Sequence, residues 1–110
     1  MIHDGTRIPT DPVGWDPDQT EWVTMAWGDA AERRGGIAES EWVVPEDWEV
    51  IESRKDVTAV GKDGTEYPQS NQALLRYNGT TKSQFTLTNR VTFGDDTILD
   101  RSVNVRVTDL

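Results

Sequence analysis

From Phe85 to Val107 the chain repeats with a period of two, and few folds can accommodate that pattern. Phe85, Leu87, Asn89, Val91 and Phe93 alternate with Thr86, Thr88, Arg90 and Thr92. After Gly94-Asp95-Asp96, Leu99, Arg101, Val103, Val105 and Val107 alternate with Ile98, Asp100, Ser102, Asn104 and Arg106. Two strands joined by a three-residue loop pair Phe93 with Thr97. Val91 then faces Leu99, Leu87 faces Val103 and Phe85 faces Val105, so both apolar faces fall on one side. The same register sets Arg90 opposite Asp100 on the outer face, as a cross-strand ion pair. It also sets Asn89 opposite Arg101 on the inner face, near the loop, where buried polar groups need partners. Asn89 and Arg101 are therefore expected to staple the end of the sandwich, with a site there as the lesser alternative, and with Arg90 and Asp100 they make up the structural hairpin.

The rest of the chain keeps the rhythm of short strands between turn residues. Residues 22–27 read as a strand, and 28–36 as a polar loop with one helical turn. Ile37 to Val44 is a strand ending at Pro45, with a bulge because Ile37 and Trp42 are out of phase. Trp48–Ser53 and Val57–Val60 are expected as separate strands, 65–71 as an irregular stretch around Pro68, and Gln72–Tyr77 as a strand turned by Asn78-Gly79. About seven short strands without a long helix predict an all-β, immunoglobulin-like β-sandwich over residues 22–110. The Cys-Trp-Cys spacing of antibody domains is missing, since the chain has no cysteine.

Residues 1–21 differ in character. They hold Pro9, Pro12 and Pro17, and the acids Asp4, Asp11, Asp16, Asp18 and Glu21 against one base, Arg7. Proline removes donors and biases its neighbours away from helix, so the segment is expected to be an extended arm. A frayed tail is the plain alternative. As a strap, Ile8, Val13, Trp15, Asp16, Asp18 and Trp22 would form its partner-binding set. Removing it would then leave the sandwich folded and abolish assembly.

Composition limits the function. Twenty acids against eleven bases give a net charge of −9, which disfavours phosphate backbones and anionic membrane surfaces. The apolar runs Trp42-Val43-Val44 and Ala73-Leu74-Leu75 are too short to span a bilayer, and Met1-Ile2-His3-Asp4 has no signal-peptide character. Zero cysteines and one histidine, His3, exclude thiolate chemistry and histidine-rich metal sites. Asp16-Pro17-Asp18 with Glu21 lacks the glycine turn and spaced glutamate of a calcium loop. Asp63, Glu66, Asp95 and Asp96 fall in turns, as do Gly35-Gly36 and Gly61 with Gly64, where these residues serve backbone geometry. No catalytic, cofactor-binding or metal-binding set is expected. Among the five tryptophans, Trp27 and Trp42 are assigned to the core. Trp15, Trp22 and Trp48 stay open as contacts, either for a protein partner or as a carbohydrate-stacking platform.

Four segments together resemble small bacteriophage virion proteins of the fiber-tail adaptor, or Ig-like tail protein, type. They are Asp16-Pro17-Asp18, the Trp22–Trp27 strand, Ser40-Glu41-Trp42-Val43-Val44-Pro45, and the hairpin pair Thr88-Asn89-Arg90-Val91-Thr92 with Asp100-Arg101-Ser102-Val103. The motifs keep their order over most of the chain. The second strand has one extra residue before Pro45, and the stretch from Ser53 to Asn71 is longer and more charged than in the family. The resemblance implies a non-enzymatic component of the virion, present in several copies on a tail, neck or baseplate and bound to other virion proteins, with no cofactor. A capsid decoration protein is the alternative of the same class, and a carbohydrate-binding module the alternative of another.

Overall fold

The computed structural model describes residues 6–7, 14–16, 19–61, 63–81 and 83–107. Among these described residues, eight strands and one short helix follow in order. They are β1 (Thr6–Arg7), β2 (Gly14–Trp15), β3 (Thr20–Ala26), α1 (Gly28–Arg33), β4 (Ile37–Val43), β5 (Trp48–Val60), β6 (Glu66–Tyr77), β7 (Ser83–Phe93) and β8 (Ile98–Val107). One sheet runs β1-β3-β6-β5 and the other β2-β8-β7-β4. All neighbours are antiparallel except β2, which lies parallel to β8. The chain is thus an all-β sandwich.

The C-terminal hairpin has the register that the alternation requires: Val91 faces Leu99, Leu87 faces Val103, Phe85 faces Val105, Arg90 faces Asp100 and Asn89 faces Arg101. Its loop closes with Phe93 N–H donating to the Thr97 carbonyl at 2.9 Å, and Asp96 takes a left-handed φ of 70°. That is the conformation a three-residue hairpin loop places at its third position. In β4 the register shifts between Ile37 and Glu39, so the bulge falls at Ala38. It lets Ile37, Ser40 and Trp42 all face inward, which strict alternation forbids.

Two expectations are corrected. Residues 48–60 form one strand, not two, and the stretch 65–71 expected to be irregular is, apart from Thr65, the first half of β6. Register shifts in the β5–β6 ladder at Val50/Glu52, Arg54/Val57 and Val57/Ala59 break the alternation that would have revealed long strands. Asp56 and Gln69 absorb two of these with φ of 56° and 55°. Pro68 is tolerated because β3 pairs with β6 only from Ser70 onward, leaving its neighbourhood a two-stranded ribbon.

Val23, Met25, Ala73, Leu75 and Tyr77 from the first sheet face Leu87, Val91, Phe93, Val103, Val105 and Val107 from the second. The helix closes one end of this core with Ala30 and Ala31, both fully buried. The loop after it lies against the β7–β8 turn. Gly94 N–H donates to the Gly36 carbonyl and Asp95 N–H to the Arg34 carbonyl, each at 2.9 Å. A Cβ on Gly94 would lie 2.4 Å from the Gly35 carbonyl oxygen, so only glycine fits between the two loops. Gly94→Ala should therefore cost about 1–3 kcal/mol by forcing rigid backbones apart. Thermal unfolding by circular dichroism checks this, and an unchanged midpoint would show that the loops separate freely.

Candidate functional site

Among the described residues, the buried side-chain hydrogen bonds converge on Asn89, which β7 presents to the interior. Its Oδ1 accepts from Trp27 Nε1 and from Asn71 Nδ2, both at 2.9 Å. Its Nδ2 donates to Ser40 Oγ at 3.0 Å and to the Glu41 carbonyl at 3.1 Å. A primary amide has two donor hydrogens and two acceptor lone pairs, so Asn89 is saturated. The partners also settle the amide's orientation, because the reverse would set donors against Trp27 and Asn71. Asn71 in turn accepts from the backbone N–H of Asp56 at 3.0 Å. One cluster thus ties together β4, β5, β6, β7 and the residue that follows β3.

Chemically this arrangement is inert. Every lone pair and hydrogen of Asn89 is occupied and the residue is fully buried, which leaves no group to act on a substrate. Asn89, expected with Arg101 to staple the sandwich end, is bonded here to residues of both sheets. Sequence reasoning missed its partners Asn71 and Ser40, and it missed Asp56. The only signal available was the polar Ser40 two residues before Trp42, which shares the inward face once the bulge is known.

On the outer face of the hairpin, Arg90 meets Asp100 through two hydrogen bonds, Nε to Oδ1 at 2.9 Å and Nη2 to Oδ2 at 3.2 Å. Glu41 Oε1 approaches Arg90 Nη1 at 3.9 Å. Arg101 is half-buried opposite Asn89. The Arg90 guanidinium holds the Asp100 carboxyl below its ordinary value. Asp95 is lowered by the hydroxyl and backbone N–H of Thr97, and Asp63 by the backbone N–H of Thr65. A carboxylate whose folded value is depressed contributes stability above its unfolded value of 3.8, and that contribution is lost as pH falls through the lower folded value. The thermal midpoint should therefore fall on acidification below pH 3.8, less steeply in the double variant Asp95→Asn/Asp100→Asn. Equal slopes for the variant and the parent protein would show that these turns and this ion pair play no part.

The arm reading changes for the part of the arm that is described. Trp15 is only 1% exposed and packs edge-on against Trp48, with ring centroids 5.0 Å apart. Trp48 also contacts Tyr77 and Phe85, completing an aromatic cluster at the end of the core opposite the helix. The Trp15 indole N–H donates to the Gln19 carbonyl at 3.1 Å. Asp16 is exposed, and its backbone N–H donates to Gln19 Oε1 at 2.9 Å. β1 and β2 pair with opposite sheets, and β3 already begins at Thr20, so the sandwich does not start at residue 22. Trp15 is a core residue and offers no face to a partner. Ile8, Val13 and Asp18 lie outside the described residues.

Trp48, 7% exposed, is likewise core, so neither Trp15 nor Trp48 can serve as a stacking platform. Trp27 is fully buried and Trp42 packs against the core, as assigned. Trp22 is half-buried on the outer face of the first sheet, and the Arg54 guanidinium lies over its ring at 4.3 Å from the centroid. That arginine occupies the face a sugar would stack on. Among the described residues no group of three or more His, Asp or Glu side chains could hold a metal ion, and no helix is long and apolar enough to cross a membrane.

Compared with known proteins, the chain matches no family model and no curated protein sequence.

Proposed function

We propose that this chain is a non-enzymatic structural component of a bacteriophage virion, an adaptor in the tail, neck or baseplate that links fibers or neighbouring tail proteins. The observation that carries the reading is the convergence of the resembling motifs. Trp27 closes the first motif strand, Ser40 and Glu41 belong to the second, and Asn89 lies in the Thr-Asn-Arg run; all four meet in one hydrogen-bonded cluster. Residues far apart in sequence thus share a structural task, as motifs inherited together with a fold would.

The contacts of such an adaptor would come from sheet edges and from the exposed part of the N-terminal segment. β4 and β5 are the outermost strands of their sheets, and Lys55 Nζ reaches the Ala38 carbonyl at 2.8 Å, so both lie on one flank. Val43, Val50 and Ile51 are exposed there at 40%, 37% and 42%. An outermost strand can accept a strand from a neighbour, and apolar side chains beside it add burial. Net negative charge suits a basic partner surface and suppresses association between free copies.

Mass spectrometry of purified phage particles, normalised to the major capsid protein, tests the proposal. A small, ring-like copy number is expected. Hundreds of copies would make the protein a capsid decoration, and absence from washed particles would overturn the virion reading.

A further inference from the structure

We propose that Asn78-Gly79 is a site of spontaneous backbone modification, in which Asn78 cyclises onto the Gly79 nitrogen and water opens the ring to aspartate or isoaspartate. Asn78 follows directly on β6 and is exposed, outside any strand. Gly79 has no side chain to shield its nitrogen, and among the described residues its N–H makes no backbone hydrogen bond. Nucleophile and side-chain amide are therefore adjacent just beyond the last ladder pair of β5 and β6, Trp48 with Tyr77.

The chemistry balances without an oxidant or catalyst. The Gly79 nitrogen forms a bond to Asn78 Cγ and loses its proton, the Cγ–Nδ2 bond breaks, and ammonia leaves with that proton. Water then cleaves one of the two ring C–N bonds. The net change replaces the side-chain amino group with hydroxyl, in either the side-chain or the main-chain branch.

Other candidate positions are closed. Asn71 and Asn89 are fully buried, hydrogen-bonded and followed by Gln72 and Arg90. Asn104 lies within β8, accepts from Thr86 Oγ1 at 2.8 Å and precedes Val105. At Asp63-Gly64 the glycine N–H donates to the Gly61 carbonyl at 3.0 Å. Thr65 there favours the ionised carboxylate, which is a poor group to displace.

The modification would act on a tight corner. Asn78 Nδ2 donates to Glu49 Oε1 at 3.1 Å, and Asn78 N–H to the Asp47 carbonyl at 2.7 Å, which moors the start of β5 to the end of β6. A new carboxylate would face Glu49 as a like charge in place of that donor. Isoaspartate would also add a methylene to the main chain of the arch that follows β6. Tyr77 Oη there donates to the Thr81 carbonyl at 3.0 Å and accepts from Thr81 N–H at 3.2 Å. A Cβ on Gly79 would lie 2.3 Å from that hydroxyl.

The test incubates the folded full chain at mildly alkaline pH and physiological temperature, beside a synthetic peptide of residues 74–82. Peptide mapping and an isoaspartate-specific methyltransferase assay follow both. Conversion at Asn78 alone, with isoaspartate in excess and at a pace comparable with the peptide, is expected; Asn78→Gln should stay unmodified. Asn78 intact after the peptide has converted would overturn the proposal, as would conversion spread over Asn71, Asn89 and Asn104. In parallel, Asn78→Asp should lower the thermal midpoint, and adding Glu49→Gln should restore most of the loss. An unchanged midpoint in Asn78→Asp would overturn the coupling to Glu49.

Discussion

Asn89→Ala should lower stability by about 3–5 kcal/mol, a large share of the roughly 5–15 kcal/mol that holds a domain of this size together. The substitution removes four hydrogen bonds at once and leaves Trp27 Nε1 and Asn71 Nδ2, both buried donors, without their acceptor. Each orphaned buried donor costs about 1–3 kcal/mol, and the small void left by the amide adds to that. Chemical denaturation followed by tryptophan fluorescence measures the effect. Asn89→Asp should be little better, because it keeps the acceptor oxygen and loses both donors to Ser40 and Glu41 while burying a charge. A loss below about 1 kcal/mol for Asn89→Ala would mean that the cluster relaxes and is not the clasp between the sheets.

Trp15→Ala should cost about 3–5 kcal/mol, as truncations of buried tryptophan do. The side chain is buried edge-on against Trp48, which in turn contacts Tyr77 and Phe85. Trp15→Phe should recover part of the loss by keeping the edge-on contact with Trp48. The same contact reverses an expectation drawn from the arm's composition: removing residues 1–21 deletes Trp15, β1 and β2, and should leave a chain that is unfolded or only marginally folded. Circular dichroism and thermal melting of the truncated chain check this. Retention of the parent midpoint would show that the aromatic cluster closes without Trp15.

These two residues also mark how far the sequence could be read. Alternation is a local property, and the C-terminal hairpin could be read directly because its register, its loop and the Arg90–Asp100 pair all follow from period-two burial within about 20 residues. The β4 bulge was legible for the same reason, as a break in an otherwise regular phase. β5 and β6 were not. Their three register shifts scramble the period, and Pro68 sits where an ordinary central strand would reject it. The exposed run from Glu49 to Asp56 has no buried face to impose a pattern at all.

Trp15 was misplaced because proline and acid content describe a segment's backbone preference, and do not say whether one large side chain within it finds a cavity. For the candidate site, the residue type and inward direction of Asn89 were visible in the alternation, but its partners were not. They lie 18, 48, 49 and 62 residues away, and only the stacking of two sheets brings them within bonding distance. The all-β class, the hairpin and the inward placement of Asn89 could be read from local pattern, because burial on one face of a strand leaves its mark on every second residue. Tertiary structure alone decided the site of Trp15, the union of β5 into one strand and the closure of the Asn89 cluster, because each depends on which distant segments share an interior.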